Sequence, residues 1–306
     1  MQEEAQQSRS PLPSTSTGSH VGAFGWTEWG LLSGIALIWG SSFLFMAIGL
    51  ESFNPGVITM IRVALGAATL ALFRKSRAPI DPGDRRRVAL LGLIWIALPL
   101  TLFPIAQQWI DSSVAGMLNG GVPIATAAWA TMLLGKAPGW RTLLGIGVGF
   151  IGVVAIFLPE VQNSSATALG AVLVIVAIIL YGVSANLAVP LQQRYGALPL
   201  LFRAQLVALV LVVPVGLVQI PGSTWSWSSA LAMIPLGALS TGLAFVLMAT
   251  LVGRAGGPRG SISIYFVPVV AIALGVAVLG ETVVPLALGG TALVVLGAWI
   301  ASRSEN

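Results

Sequence analysis

The chain has 306 residues, a mean hydropathy of +0.93, 56% hydrophobic residues and only 8% charged ones. A water-soluble domain keeps roughly a quarter of its residues charged, so this composition excludes a soluble globular fold and defines an all-α integral membrane protein. With no cysteine and a single histidine, His20, the sequence excludes disulfides, thiol nucleophiles and iron–sulfur clusters, and it implies no metal site and no cofactor.

Residues 1–28, with the run SRSPLPSTSTGSH, read as a polar, disordered leader without the pattern of a secretory signal. A membrane-crossing helix needs about 20 mostly apolar residues, and a window of that length predicts ten. The first half gives 30–50, 55–73, 88–109, 114–134 and 141–158. The second half gives 169–189, 199–219, 230–251, 260–279 and 285–301. The apolar runs are continuous rather than alternating, which favours helices over the strands of a barrel.

Basic residues set the expected orientation. The connection after the second crossing carries Arg74, Lys75, Arg77, Arg85, Arg86 and Arg87. Every second connection after it is also basic: Lys136 and Arg141, then Arg194, then Arg254 and Arg259, then Arg303 in the tail. The alternate connections carry Glu51, Asp111, Glu160 and Glu281. Ten crossings with both termini in the cytoplasm satisfy all of them. The net charge of +5 is thus spent at helix ends, and no nucleic acid is implied.

The chain also repeats itself. Pro123 and Pro268, Lys136 and Glu281, Gly145 and Gly290, and Gly152 and Gly297 are each 145 residues apart, while Trp39-Gly40 precedes Tyr181-Gly182 by 142. An odd number of crossings per half inverts the second half relative to the first. Inverted repeats of this kind build secondary transporters, with the substrate between the halves near the midplane. The expected organisation is a leader at 1–28, a first five-helix repeat at 29–158, a second at 159–302 and a tail at 303–306.

Several residues are expected to bind substrate. Arg62 falls about seven residues into the second crossing, roughly 10 Å deep at 1.5 Å per residue. A cation there costs about 2.5–3.5 kcal/mol on insertion scales and faces a cavity or a partner; its forked donors suit a carboxylate. The alternative is a side chain that snorkels outward or pairs with Glu51 or backbone carbonyls. Arg203, its rough counterpart in the second half, reads as an anchor near the surface. Pro123 and Pro268 interrupt their helices and free the carbonyls of Asn119 and Ile264, so Asn119 offers both an amide and a loose carbonyl. Trp39 with Ser42, Tyr181 with Ser184, and Ser261 with Tyr265 share helix faces by their spacing and predict an aromatic and hydroxyl lining in both halves. Each of these aromatics also has a plain packing reading. Trp225 and Trp227 read as interfacial belt residues, and the pairs Gly116/Gly120 and Gly145/Gly149 as close helix contacts.

The run W-G-S-S-F at 39–43, Asn54-Pro55 followed by Arg62, and the proline-centred segments ending L-G-K at 134–136 and L-G-E at 279–281 resemble the EamA-type branch of the drug/metabolite transporter superfamily. The resemblance spans nearly the whole chain after the leader. It implies a ten-helix carrier, a monomer or weak homo-oligomer in the lipid bilayer of a cell membrane (a bacterial inner membrane), that moves a small metabolite by alternating access, with export the expected direction. Lys136 departs from it, since the family usually has an acid there. No carboxylate lies deep in any predicted crossing, so the cargo is expected to be neutral or carboxylate-bearing and its transport uncoupled from protons. An intramembrane enzyme is disfavoured by the lack of H-E-x-x-H, Walker and Gly-x-Ser-x-Gly patterns. A non-transporting scaffold or channel is the alternative class, and a multidrug exporter ranks below both.

Overall fold

The computed structural model describes residues 25–134, 140–255 and 260–301. Among these residues all regular structure is helical. In chain order the elements are α1 (Trp26–Leu50), α2 (Pro55–Ala71), then α3, which runs as Arg85–Leu91, a π-helical stretch Gly92–Ala97 and Leu98–Ala106. The next helix is broken into α4 (Ser112–Asn119) and α5 (Val122–Leu134), followed by α6 (Trp140–Asn163), α7 (Ser165–Tyr195) and α8 (Ala197–Gln219). α9 again contains a π-helical stretch, Pro235–Leu243, between Trp227–Ile234 and Ala244–Ala255. α10 (Val267–Leu274) is entered through a 3₁₀ stretch, Ser261–Phe266, and left through a π-helical one, Gly275–Leu279; α11 (Pro285–Ala301) ends the described chain.

Among the described residues, five helical stretches are long and apolar enough to cross a membrane: Trp26–Leu50, Pro82–Ala106, Ser165–Tyr195, Ala197–Gly222 and Trp227–Ala255. Shorter apolar helices occupy Pro55–Ala71, Leu143–Pro159, Ser263–Leu279 and Pro285–Gly297. The outer surface is itself apolar: Phe150, Val210 and Val218 point outward at 64%, 73% and 80% exposure, which suits lipid and would be intolerable over so wide an area in water.

Local chemistry explains the element ends. Asn54 is extended and Pro55 starts α2, where the missing N–H has no intrahelical use. Ser164 Oγ accepts from the Thr167 amide at 3.1 Å and caps α7. Gly196 (φ +79°) and Gly280 (φ +68°) have the positive φ that glycine adopts without a Cβ penalty, and they end α7 and the Gly275–Leu279 stretch.

The two halves embrace each other, and their contacts come in reciprocal pairs. α3 packs on α8 as α9 packs on α2; α3 packs on α7 as α9 packs on α1; α5 packs on α7 as α10 packs on α1. The self-paired contacts are α2 with α8, α4 with α10 and α6 with α11. Small residues make these approaches possible. Gly92 lies where a Cβ would come 2.6 Å from the Ala204 carbonyl, and Gly237, 145 residues on, meets the Arg62 carbonyl in the same way at 3.2 Å. A Cβ on Gly152 would lie 2.6 Å from the Gly290 carbonyl, and one on Gly290 would lie 2.7 Å from that of Gly152. The π-helical stretches of α3 and α9 also occupy equivalent places in the repeat. The duplication visible in the sequence is therefore a duplication of packing.

Candidate functional site

α1, α2, α3, α4 and α5 meet α7, α9 and the 3₁₀ stretch before α10 around a central cavity. It spans about 530 Å³ of space between atoms, part of it open to the outside, but is so constricted that about two water molecules would fit as it stands. Six aromatic rings wall it, in two connected groups. Tyr181 stacks on Phe103 (5.9 Å, 26°), which meets Phe43 edge-on at 5.5 Å; Phe245 meets both Trp39 (5.2 Å) and Trp95 (5.8 Å) edge-on.

Arg62 is 2% exposed and reaches this cavity from α2. Its Nε donates to Thr241 Oγ1 at 3.1 Å and Nη1 to Met46 Sδ at 3.2 Å. A guanidinium has five N–H donors, and among the described residues no carboxylate forms an ion pair with it. Thr241 is fixed in turn: its hydroxyl donates to the Leu236 carbonyl at 3.0 Å, a bond five residues back that follows the π-helical winding, and its own carbonyl accepts from Gln205 Nε2. The hydroxyl proton is thereby committed, which leaves Thr241 Oγ1 as an acceptor for Arg62.

Asn119, at the end of α4, lines the cavity too, and its buried Oδ1 has no hydrogen-bond partner among the described residues. Here the helix breaks at Gly120-Gly121, whose amides donate to Met117 and Leu118, before Val122-Pro123 opens α5. At the equivalent place, Ile264, the sequence predicts a freed carbonyl, but the backbone tightens into 3₁₀ and the Val267 amide donates to it. A 3₁₀ turn supplies the donor that Pro268 cannot.

The structure thus brings Trp39, Ser42, Arg62, Asn119 and Tyr181 into one cavity wall. Ser42 donates its hydroxyl to the Trp39 carbonyl at 2.6 Å, and Trp39 Nε1 donates to the Ser240 carbonyl at 3.0 Å. Two expected lining residues lie elsewhere. Ser184 is fully buried and donates back to the Leu180 carbonyl at 2.6 Å, and Tyr265 is buried off the wall, where its neighbour Ile264 stands instead. A helical serine with no other acceptor in reach bonds to the carbonyl four residues before it, and a 3₁₀ winding turns successive side chains by more than an α-helix does. Ser261 opens that 3₁₀ stretch, and its side chain lies outside the described residues, as does all of Lys136.

Sequence reasoning missed Trp95, Phe103, Phe245, Met46 and Met248 on the wall. The repeat carried a usable signal: Phe103 and Met248 are 145 apart, as are Asn119 and Ile264. Arg203 sits at a helix entrance, donating to the carbonyls of Ser76 (3.0 Å) and Arg77 (3.4 Å), as an anchor would. The position that packing makes equivalent to Arg62 is its neighbour Ala204.

Both ends of the helix bundle are tied between halves. At one, Asp84 receives Arg194 (2.8 Å) and the Tyr195 hydroxyl (2.7 Å), and Glu28 pairs with Arg254. At the other, Glu281 accepts from the Ser112 amide (2.8 Å), the Ser112 hydroxyl (2.7 Å) and the Ser113 amide (2.9 Å), capping α4. Gly280 turns the chain back for this, and Gly275 leaves room for the carboxylate where a Cβ would collide with it. Beside them, burial, and secondarily the Glu281 charge, raise the pKa of Asp111 above the ordinary carboxylate value.

Two mutually packed repeats around a narrow, largely apolar cleft with a few convergent polar groups are the build of a multi-pass membrane carrier. Residues 28–158 and 168–303 each match the EamA-like transporter family, and the chain belongs to that family. It is similar to the uncharacterized transporter YoaV of Bacillus subtilis (24% identity over 89% of this chain and 94% of that one). It is also similar to a probable terminal-alkyne amino-acid exporter of Streptantibioticus cattleyicolor (25%, over 87% and 90%) and to the uncharacterized inner membrane transporter YedA of Escherichia coli K12 (27%, over 89% and 91%). A solved crystal structure shares the fold with a TM-score of 0.63 at 17% identity, covering 88% of this chain and 98% of that one. Family and relatives are transporters rather than enzymes, and the chain is a multi-pass protein of the cell membrane.

Proposed function

We propose that the protein exports a small carboxylate-bearing metabolite, an amino acid with an apolar side chain being the best fit, by alternating access without ATP. The observation that carries this reading is Arg62: a buried guanidinium with unused donors and no acidic partner among the described residues, on the wall of a cavity. A buried charge without a counterion is costly, and a substrate carboxylate would supply the counterion. The unpartnered acceptor Asn119 Oδ1 suits an ammonium group, and the aromatic and methionine walls suit an apolar side chain. The name of the Streptantibioticus relative points to the same chemical class and to export.

In this reading the helices make ten crossings with both termini cytoplasmic, as two units at 29–158 and 159–302, in a bacterial inner membrane, and one chain suffices. The alternation of basic connections in the sequence supports that orientation. The test is counterflow into proteoliposomes of a labelled panel of neutral amino acids, organic acids, sugars and aromatic amines. Saturable exchange of the carboxylate-bearing members, lost in Arg62→Ala, is expected. Exchange confined to amines, or none from folded protein, contradicts the reading.

A further inference from the structure

The two halves do not contribute equally to the cavity. Some equivalent positions line it from both sides, including Trp39 and Tyr181, Phe103 and Met248, and Asn119 and Ile264. The cavity therefore lies close to the axis that relates the repeats. Five other positions line it from the first half alone, Ser42, Met46, Arg62, Trp95 and Val122, of which the first three lie on α1 and α2. The counterparts of those three at the 142-residue offset of α1/α7 and α2/α8 are Ser184, Ala188 and Ala204, and all three are fully buried in helix contacts away from the wall. Two independent contacts fix the last pairing. Gly237 meets Arg62 and Leu65 where Gly92 meets Ala204 and Val207.

Resting on the proposed carboxylate-transport reading, we infer that Ser184, Ala188 and Ala204 form a second, latent substrate-contacting set that lines the cavity when the protein faces the other side of the membrane. Inverted-repeat carriers alternate by moving one repeat against the other around a fixed site. If the halves exchange conformations, each first-half residue takes the place its counterpart now holds. Ser184 then stands where Ser42 stands, and Ala204 where Arg62 stands. Thr241, which orients Arg62 here, has as its own counterpart Ile96, which offers no acceptor. The opposite-facing cavity thus presents an alanine where this one presents a guanidinium, and a serine in the place of Ser42. Hydrogen bonds to charged groups are worth roughly a ten- to hundredfold change in affinity, so the carboxylate is held at least about tenfold more tightly on one face than on the other. The asymmetry is a property of residue identity, laid over a symmetrical backbone.

The experiment measures KM for labelled L-leucine and L-phenylalanine from each face of proteoliposomes of fixed orientation. Wild type should show KM values that differ at least about tenfold between faces. Arg62→Ala should lose that difference by weakening the tighter face, and Arg62→Ala/Ala204→Arg should reverse it. Loss of transport equally from both faces in Arg62→Ala would leave the carboxylate anchor standing and overturn the inference. Transport of neither amino acid by folded protein would overturn the reading beneath it as well. Because the double variant must fit an arginine where alanine is packed, a second measurement is independent of it. The natural chain has no cysteine, so Ser42→Cys and Ser184→Cys each carry one thiol. Saturating L-leucine on one face should change their rates of modification by a small thiol reagent in opposite directions, whereas parallel changes would refute the exchange.

Discussion

The seam between α6 and α11 makes a demanding test of the packing, because it can be perturbed by a single methyl. A Cβ on Gly152 would come 2.6 Å from both the Gly290 carbonyl oxygen and the Val294 amide nitrogen, and 2.9 Å from Val294 Cγ2. Ordinary carbon contacts need about 3.5 Å, and backbone cannot rotate away as a side chain can. The helices must therefore part by several tenths of an ångström along a seam that also contains Gly149 and Gly297. Overpacking of this kind costs about 1–3 kcal/mol. Gly147, on the same helix, has open space where its Cβ would go. Gly147→Ala is thus the internal control, since the gain in helix propensity of up to about 1 kcal/mol is common to both changes. Gly152→Ala should lie about 1–3 kcal/mol below Gly147→Ala in stability, measured by reversible unfolding in mixed micelles. Equal stability of the two variants would refute the close α6–α11 contact.

Two further changes probe the capped end of α4. Glu281→Gln removes the charge from an acceptor of three hydrogen bonds and should cost about 1–2 kcal/mol in the same unfolding assay; an unchanged stability would remove the cap from the account. Asp111 has its pKa raised by burial and by Glu281, so its contribution is full below its unfolded pKa and is lost as pH rises through its folded one. Asp111→Asn should therefore gain relative to wild type as pH rises through the carboxylate range, and a stability difference constant with pH would contradict this.

How much of this could be read from the sequence follows from which forces leave a periodic trace. Lipid imposes long apolar runs, so the helices from Trp26 to Ala301 were expected close to where they lie. Gene-level duplication leaves fixed offsets, and Pro123/Pro268 and Gly152/Gly297 exposed the repeat. Arg62 and Asn119 were conspicuous because polar groups are costly within apolar segments. Winding left no such trace. Nothing in P-L-G-A-L-S-T-G-L announces that Pro235–Leu243 is π-helical, yet that winding lets Thr241 orient Arg62. Trp95 and Phe245 were invisible as wall residues because an aromatic ring in a membrane helix packs equally well against a neighbour, lipid or a void. Ser184 shares a helix face with Tyr181 by spacing, but that face is wide enough for Tyr181 to line the cavity while Ser184 bonds back to its own helix.

The central claim is that Arg62 receives a carboxylate, and the most direct measurement compares a carboxylate with its neutral isostere. Counterflow of labelled L-leucine and L-leucinamide would be measured through wild type, Arg62→Lys and Arg62→Ala. Wild type should prefer L-leucine by at least about tenfold, the worth of one hydrogen bond to a charged group. Lysine should keep part of that preference, and alanine should reduce it to near parity with folding intact. A preference for the carboxylate that survives in Arg62→Ala would contradict the account.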